Sequence, residues 1–187
     1  MSHEEISALQ NRVANYDDQH ALEKLYLYFY PRLYRFGKSL VKAAEVAEEL
    51  VEDVFIRLWE KRAGLADVRN LQVYLYVAVR NRALNYLDWK SKDIVAYFEA
   101  YPCDMASLND SPDHLLITRE MSARISQAVE TLPPKCKIIF KLVREEGLKY
   151  REVADILGIS SRTVDNQMTI ALKKIASAIT LYTVPAH

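Results

Sequence analysis

Arg162, Asp165, Asn166, Thr169 and Lys173 recur at the spacing that gathers side chains on one face of an α-helix, while Val164, Met168, Ala171, Leu172 and Ile175 fall on the opposite face. Guanidinium and carboxamide groups near the start of such a helix can pair with base edges in a DNA groove, arginine typically with guanine and asparagine with adenine. Lys173 and the adjacent Lys174, further along, suit backbone phosphates, and Asp165 would accept from a cytosine amino group or orient Arg162. The same polar residues would also serve an ordinary solvated face of a helical hairpin. Catalysis has no comparable constellation. His3, His20, His114 and His187 are scattered, and neither a nucleophile-base-orienter set nor a phosphate-binding glycine loop occurs. No enzymatic activity, metal or cofactor is therefore expected.

The setting of the polar face is a turn between two short amphipathic segments. In YREVADILGISSRTVDNQM, residues 150–168, Val153, Ala154 and Leu157 share one face, and Ala154 is small enough to permit a close helix crossing. Gly158 suits the left-handed position that ends a helix. Ile159 can plug the turn, and the Ser160 hydroxyl can cap the next helix. This is the three- to four-residue connection of a DNA-reading helix-turn-helix. By itself the motif would fit a repressor, an activator or a polymerase subunit.

The remaining residues predict an all-α chain. Four glycines among 187 residues and few strand-like alternations favour helices. Helices are expected over 20–41, kinked or restarted at Pro31, then over 45–62 and 71–89, and beyond these over 115–131, 134–146, 150–157 and 161–181. In the second of them Val46, Leu50, Val54 and Leu58 recur beside Ala47, Val51, Phe55 and Trp59, with Glu45, Glu48, Glu49, Glu52, Arg57 and Glu60 opposite. Periodicity weakens between about 91 and 113, where Pro102, Pro112 and turn formers read as a linker. Two small helical domains joined by a tether result: 1–92, the acidic linker 93–113, and 114–187.

Charge is segregated although its total is zero. Arg69, Arg80, Arg82, Lys90 and Lys92 stand against Asp88 alone, and nine Lys or Arg face five Asp or Glu between Lys135 and Lys174. Glu99, Asp104, Asp110, Asp113 and Glu120 lie between these basic stretches. The pattern suggests two nucleic-acid contacts on one chain. Cys103 and Cys136 form neither a disulfide framework nor a zinc site. With no signal-like N-terminus and no membrane-length apolar run, a cytoplasmic protein is expected.

Three stretches of the first half, FYPRLYRFGKSLV, AEVAEELVEDVFIRLWEKR and NLQVYLYVAVRNRALNYL, resemble region 2 of the extracytoplasmic-function (ECF) class of bacterial sigma factors. LPPKCKIIFKLVREEGLKYREVADILGISSRTVDNQMTIALKKI resembles their region 4, in the family order and with a linker between. The resemblance implies a subunit that directs bacterial core RNA polymerase to promoter DNA, with an anti-sigma factor, often membrane-bound, as a further partner. It places polymerase docking on Glu49, Leu50, Val51, Asp53, Val54, Leu58 and Trp59. Taken by themselves, Leu50, Val54 and Leu58 read as core and the carboxylates as the outer contact.

For the −10 element the resemblance implies the loop 63–70 with Arg69, Asn70, Tyr74, Arg80, Asn81, Arg82, Asn85 and Tyr86, holding bases of the opened strand. Arg80 and Arg82 would meet phosphate, and Asn81 and Asn85 would line a base pocket. Tyr74 and Tyr86 read equally as core aromatics or stacking platforms. For the −35 element it implies Ser161, Arg162, Thr163, Asp165, Asn166 and Thr169, with Lys173 and Lys174 on phosphate. GLKY stands where the family frequently has GLSY, and the Asp165–Asn166 pairing leaves the promoter sequence unread. The rival readings are a stand-alone helix-turn-helix regulator with a helical N-terminal dimerisation domain, and a helical adaptor that binds no DNA.

Overall fold

The computed structural model describes residues 1–88 and 119–180, and the secondary structure among them is helical. The linker 93–113, with Asp104, Asp110 and Asp113, lies outside the described residues, as do Lys90, Lys92 and Cys103. The chain divides into two compact units, one centred on residues 1–94 and one on the helices that follow.

The first unit contains α1 (His3–Tyr16), α2 (Gln19–Val41), α3 (Ala44–Glu60), a 3-10 segment (Arg62–Asp67) and α4 (Leu71–Asp88). Helix α1 is absent from the sequence-based expectation, yet its start is a capping box. The Ser2 hydroxyl accepts from the Glu5 N–H at 3.2 Å and the Glu5 carboxylate accepts from the Ser2 N–H at 2.7 Å, which satisfies two donors that the helix cannot. Leu9 and Val13, one turn apart, then turn inward.

Pro31 neither ends nor restarts α2, which is a single helix over Gln19–Val41. Proline removes the donor to the carbonyl four residues back, that of Leu27. Both Pro31 and Leu27 are exposed, so that carbonyl lies on the water side, while Leu25, Phe29, Leu33 and Phe36 hold the opposite face in the core. Helices α1, α3 and α4 all pack on α2. Phe36 meets Tyr76 of α4 edge-to-face at 5.1 Å, and Val41, Ala47, Leu50 and Ala83 form one core cluster between α2, α3 and α4.

The second unit contains α5 (Arg119–Glu130), α6 (Pro134–Arg144), α7 (Tyr150–Leu157) and α8 (Ser161–Thr180). Helix α8 packs along α5 and α6, where Ala171 and Ile175 meet Ala128, Val129, Leu132 and Cys136. The expected apolar face of α8 needs one correction. Leu172 is 42% exposed, and Gln167 is buried, its carboxamide oxygen accepting from the Cys136 thiol at 2.8 Å. At 100° per residue the two positions lie about equally far from the centre of the stripe, on opposite sides. The Gln167 edge is the covered one, and its carboxamide finds a polar partner there.

Candidate functional site

Residues 149–163 form a helix-turn-helix. The Glu152 carboxylate accepts from the Lys149 N–H at 2.8 Å at the start of α7. Gly158 ends that helix with φ 68°, in the left-handed region, and the Ile159 N–H donates to the Ala154 carbonyl at 3.1 Å. Ser160 then caps α8, its hydroxyl accepting from the Thr163 N–H at 3.0 Å. Val153, Ala154 and Leu157 are buried as their spacing predicts, and Ile156 joins them. Gly158→Ala should destabilise this unit by about 1 kcal/mol, since a side chain is strained at positive φ. Thermal unfolding that leaves the wild-type midpoint unchanged would contradict this.

On the outer face of α8, Ser161, Arg162, Asp165, Thr169 and Lys174 are exposed, while Asn166 and Lys173 are half-buried. Two hydroxyls have local duties. Thr163 shares a 2.8 Å hydrogen bond with Ser160, and the Thr169 hydroxyl donates to the Asp165 carbonyl at 3.0 Å. Arg162 and Asp165 remain as the exposed charged groups of the first two turns.

A second surface lies on α2 and α3. Four residues expected there need correcting: Leu50, Val51, Val54 and Leu58 are 8%, 0%, 4% and 1% exposed. They belong to the face that α3 packs on its neighbours, where removing them from water stabilises the unit. The side open to solvent carries Glu45, Glu48, Glu49 and Glu52, with Ile56 57% exposed. Here Leu22, Tyr26, Phe55, Ile56 and Trp59 line a groove flanked by Glu52 and Glu60. Tyr26, Tyr30 and Tyr34 follow one another along α2, with centroids 5.1 and 6.2 Å apart. Burial, with Glu52 beside Tyr26 and Glu48 and Glu52 near Tyr30, pushes the phenols of Tyr26 and Tyr30 above the ordinary tyrosine value. Trp59 is half-buried and carries the Arg62 guanidinium over its ring at 4.5 Å. Apolar surface among carboxylates suits a partner with apolar and basic groups. Spacing already put Glu52 on the outer side of α3 with the other carboxylates, whereas it did not single out Ile56, whose exposure only packing shows.

Asp53 and Arg82, expected at different interfaces, pair with each other at 2.6 Å between α3 and α4. The Arg82 side chain is 22% exposed and that of Asp53 47%, so solvent screens the pair in part. A double-mutant cycle on Asp53→Asn and Arg82→Met should give a coupling of about 1 kcal/mol in urea unfolding. A coupling of zero would show that the bridge adds nothing to the packing of the two helices.

The loop before α4 and the helix itself form the third surface. Ala63, Gly64, Ala66, Asp67 and Arg69 are exposed, and Leu65 is buried at 2%. Asn70 is occupied at the start of α4, its side-chain oxygen accepting from the Val73 N–H at 3.1 Å. On α4, Tyr74 is 39% exposed, and Asn81 and Asn85, one turn apart, are exposed. Arg80 donates to the Asn81 side-chain oxygen at 3.2 Å. Tyr86 is half-buried and packs on the cluster of Val41, Ala47, Leu50 and Ala83, so of the two tyrosines Tyr74 is the open one.

Two family descriptions match this chain, "Sigma-70 region 2" over residues 25–92 and "Sigma-70, region 4" over residues 122–175. The chain belongs to the sigma-70 family. It is 24% identical to RNA polymerase sigma factor SigZ of Bacillus subtilis over 139 residues, which are 74% of this chain and 76% of that protein. It is 26% identical to ECF RNA polymerase sigma factor RpoE of Cereibacter sphaeroides over 173 residues, 90% of this chain and 91% of that one. Similarity to the RNA polymerase sigma-H factor of Pseudomonas aeruginosa is 23% over 96% of each chain.

Two solved structures share the fold. One is the sigma factor RpoE in complex with the anti-sigma factor NepR from Bartonella quintana, with a TM-score of 0.55 at 19% identity, covering 86% of this chain and 97% of that one. The other is CnrH in complex with the cytosolic domain of CnrY, with a TM-score of 0.56 at 17% identity, covering 96% and 99%. This ECF sigma factor directs bacterial RNA polymerase to promoters and acts in transcription initiation, the work of a non-enzymatic family. Among its described residues no helix is long and apolar enough to cross a membrane.

Proposed function

We propose that this sigma factor divides promoter selection among its three surfaces. Residues 1–92 dock on core polymerase through the outer side of α3 and hold the −10 element with the loop 63–70 and the exposed residues of α4. Residues 93–113 act as an acidic tether, and residues 114–187 read the −35 element as duplex. Docking rests on Glu49, Glu52, Ile56 and Trp59, which face outward, and not on the buried Leu50, Val51, Val54 and Leu58. Arg69, Tyr74, Asn81 and Asn85 meet the opened strand, where a ring can stack on a base and a carboxamide can bond its edge. Ser161, Arg162, Asp165 and Asn166 meet base edges in the major groove, and Lys173 and Lys174 hold phosphate.

The observation that carries this reading is the exposed polar face of α8 behind a capped helix-turn-helix, on the same chain as an acidic and apolar docking face. An anti-sigma factor, often membrane-bound in the family, is a further partner. Support comes from the two structural neighbours, each solved with a second protein, one of them named an anti-sigma factor. The chain works in the cytoplasm and has no catalytic activity of its own. Purified protein incubated with bacterial core polymerase and a randomised promoter library should enrich DNA with two preferred blocks at a constant spacing. Enrichment of a symmetric site without polymerase would establish the stand-alone regulator instead.

A further inference from the structure

Helix α1 lies before the residues matched by region 2, yet it holds the loop that follows α3. Gln10, 6% exposed, directs its side-chain nitrogen to the carbonyls of Leu65 at 2.7 Å and Val68 at 2.6 Å, across 55 and 58 residues of chain. One carboxamide has two N–H groups, and here each meets one acceptor. The opposite amide orientation would set its oxygen against two carbonyl oxygens, so this orientation is the one the site permits. The same loop is tied at its entry. Arg62 pairs with Asp17 at the end of α1, lies over Trp59, and donates to the Trp59 carbonyl at 3.1 Å. Leu65 is buried beside these ties, and the exposed residues 66, 67 and 69 project from a backbone fixed beneath them.

We infer that Gln10 is a positioning residue for promoter reading, holding the loop 63–70 in the shape that presents Ala66, Asp67 and Arg69 to the −10 element. The inference rests on the reading of that loop given above and adds to it a named device on an element outside the matched region. A loop that selects a base must keep its shape while the base arrives, because ordering it at that moment would consume binding free energy that otherwise separates right from wrong bases. Two short hydrogen bonds from a buried amide supply that rigidity. Losing them removes the side-chain donor of the Val68 carbonyl and leaves the Leu65 carbonyl with the Val68 N–H alone, which donates to it at 3.1 Å, in a largely buried site.

The test uses the full chain with core polymerase and promoter libraries varied separately at the −10 and −35 elements. Gln10→Met keeps the length and volume of the side chain and removes both donors. Discrimination among −10 sequences should fall by about tenfold, with −35 discrimination and polymerase affinity unchanged. Equal losses at both elements, or lost polymerase binding, would mean that Gln10 only stabilises the unit, and the inference would fall. An unchanged −10 profile in folded Gln10→Met would also overturn it. Should that variant not fold, Gln10→Asn, which keeps the amide but is one methylene too short to reach both carbonyls, takes its place: a loss confined to the −10 element supports the inference, and an unchanged profile overturns it. Asp67→Ala and Arg69→Ala separate the two levels. If these change −10 preference and the Gln10 variant does not, the positioning role alone fails; if these also leave it unchanged, the loop is not the reader.

Discussion

Reversing Glu49 and Glu52 together to lysine is expected to abolish co-elution of this sigma factor with core RNA polymerase on gel filtration. Both side chains are exposed on α3, so the substitution leaves the core of the unit intact. They flank the open strip that contains Ile56 and Trp59, where a partner rich in basic groups would lose two attractions and gain two repulsions. Charge pairs at the centre of an interface are worth several kcal/mol when broken, so weakening of about a hundredfold or more is expected. Asp53→Lys is a poor substitute because Asp53 pairs with Arg82, and its reversal would disturb α4 as well. Undiminished co-elution of a folded Glu49→Lys, Glu52→Lys variant would remove this face from the interface.

Arg162→Ala should cost about 1 to 3 kcal/mol in binding to the preferred upstream element and relax selection at a single base position. Arg162 is exposed in the first turn of α8, so truncating it leaves the cap made by Ser160 in place. Its guanidinium can pair with guanine in two hydrogen bonds that no other base offers in the same geometry. The decisive readout is the pattern across promoter variants. A loss confined to promoters with the preferred base assigns Arg162 to base reading. An equal loss on every sequence, with a shallower dependence on salt, would make it a phosphate contact instead.

Much of this fold was legible because helices announce themselves locally. The periodic stripes of α3 and α8, the glycine at 158 and the capping serine at 160 are signals read within a few residues, and the structure follows them. The start of α1 carries such a signal too, in Ser2 and Glu5. Pro31 does not restart the chain in a new helix, because the donor it lacks falls on the side of α2 that the packed helices leave open.

The sites divide in the same way. Arg162, Asp165 and Thr169 lie outward as their spacing predicts, since one helix and one covered face are enough to determine it. Leu50, Val51, Val54 and Leu58 share their helix with Glu49 and Glu52, and which of its sides remained open depended on α2 and α4. The sequence by itself determined the helices from α2 onward, the turn that makes a DNA reader and the family. Only the tertiary structure decided that Asp53 pairs with Arg82, that Ile56 is exposed, and that Gln10 holds a loop 55 residues away. The physical reason is range: caps, turns and periodic faces are written in neighbouring residues, whereas a side chain's partner across a core depends on how the elements dock.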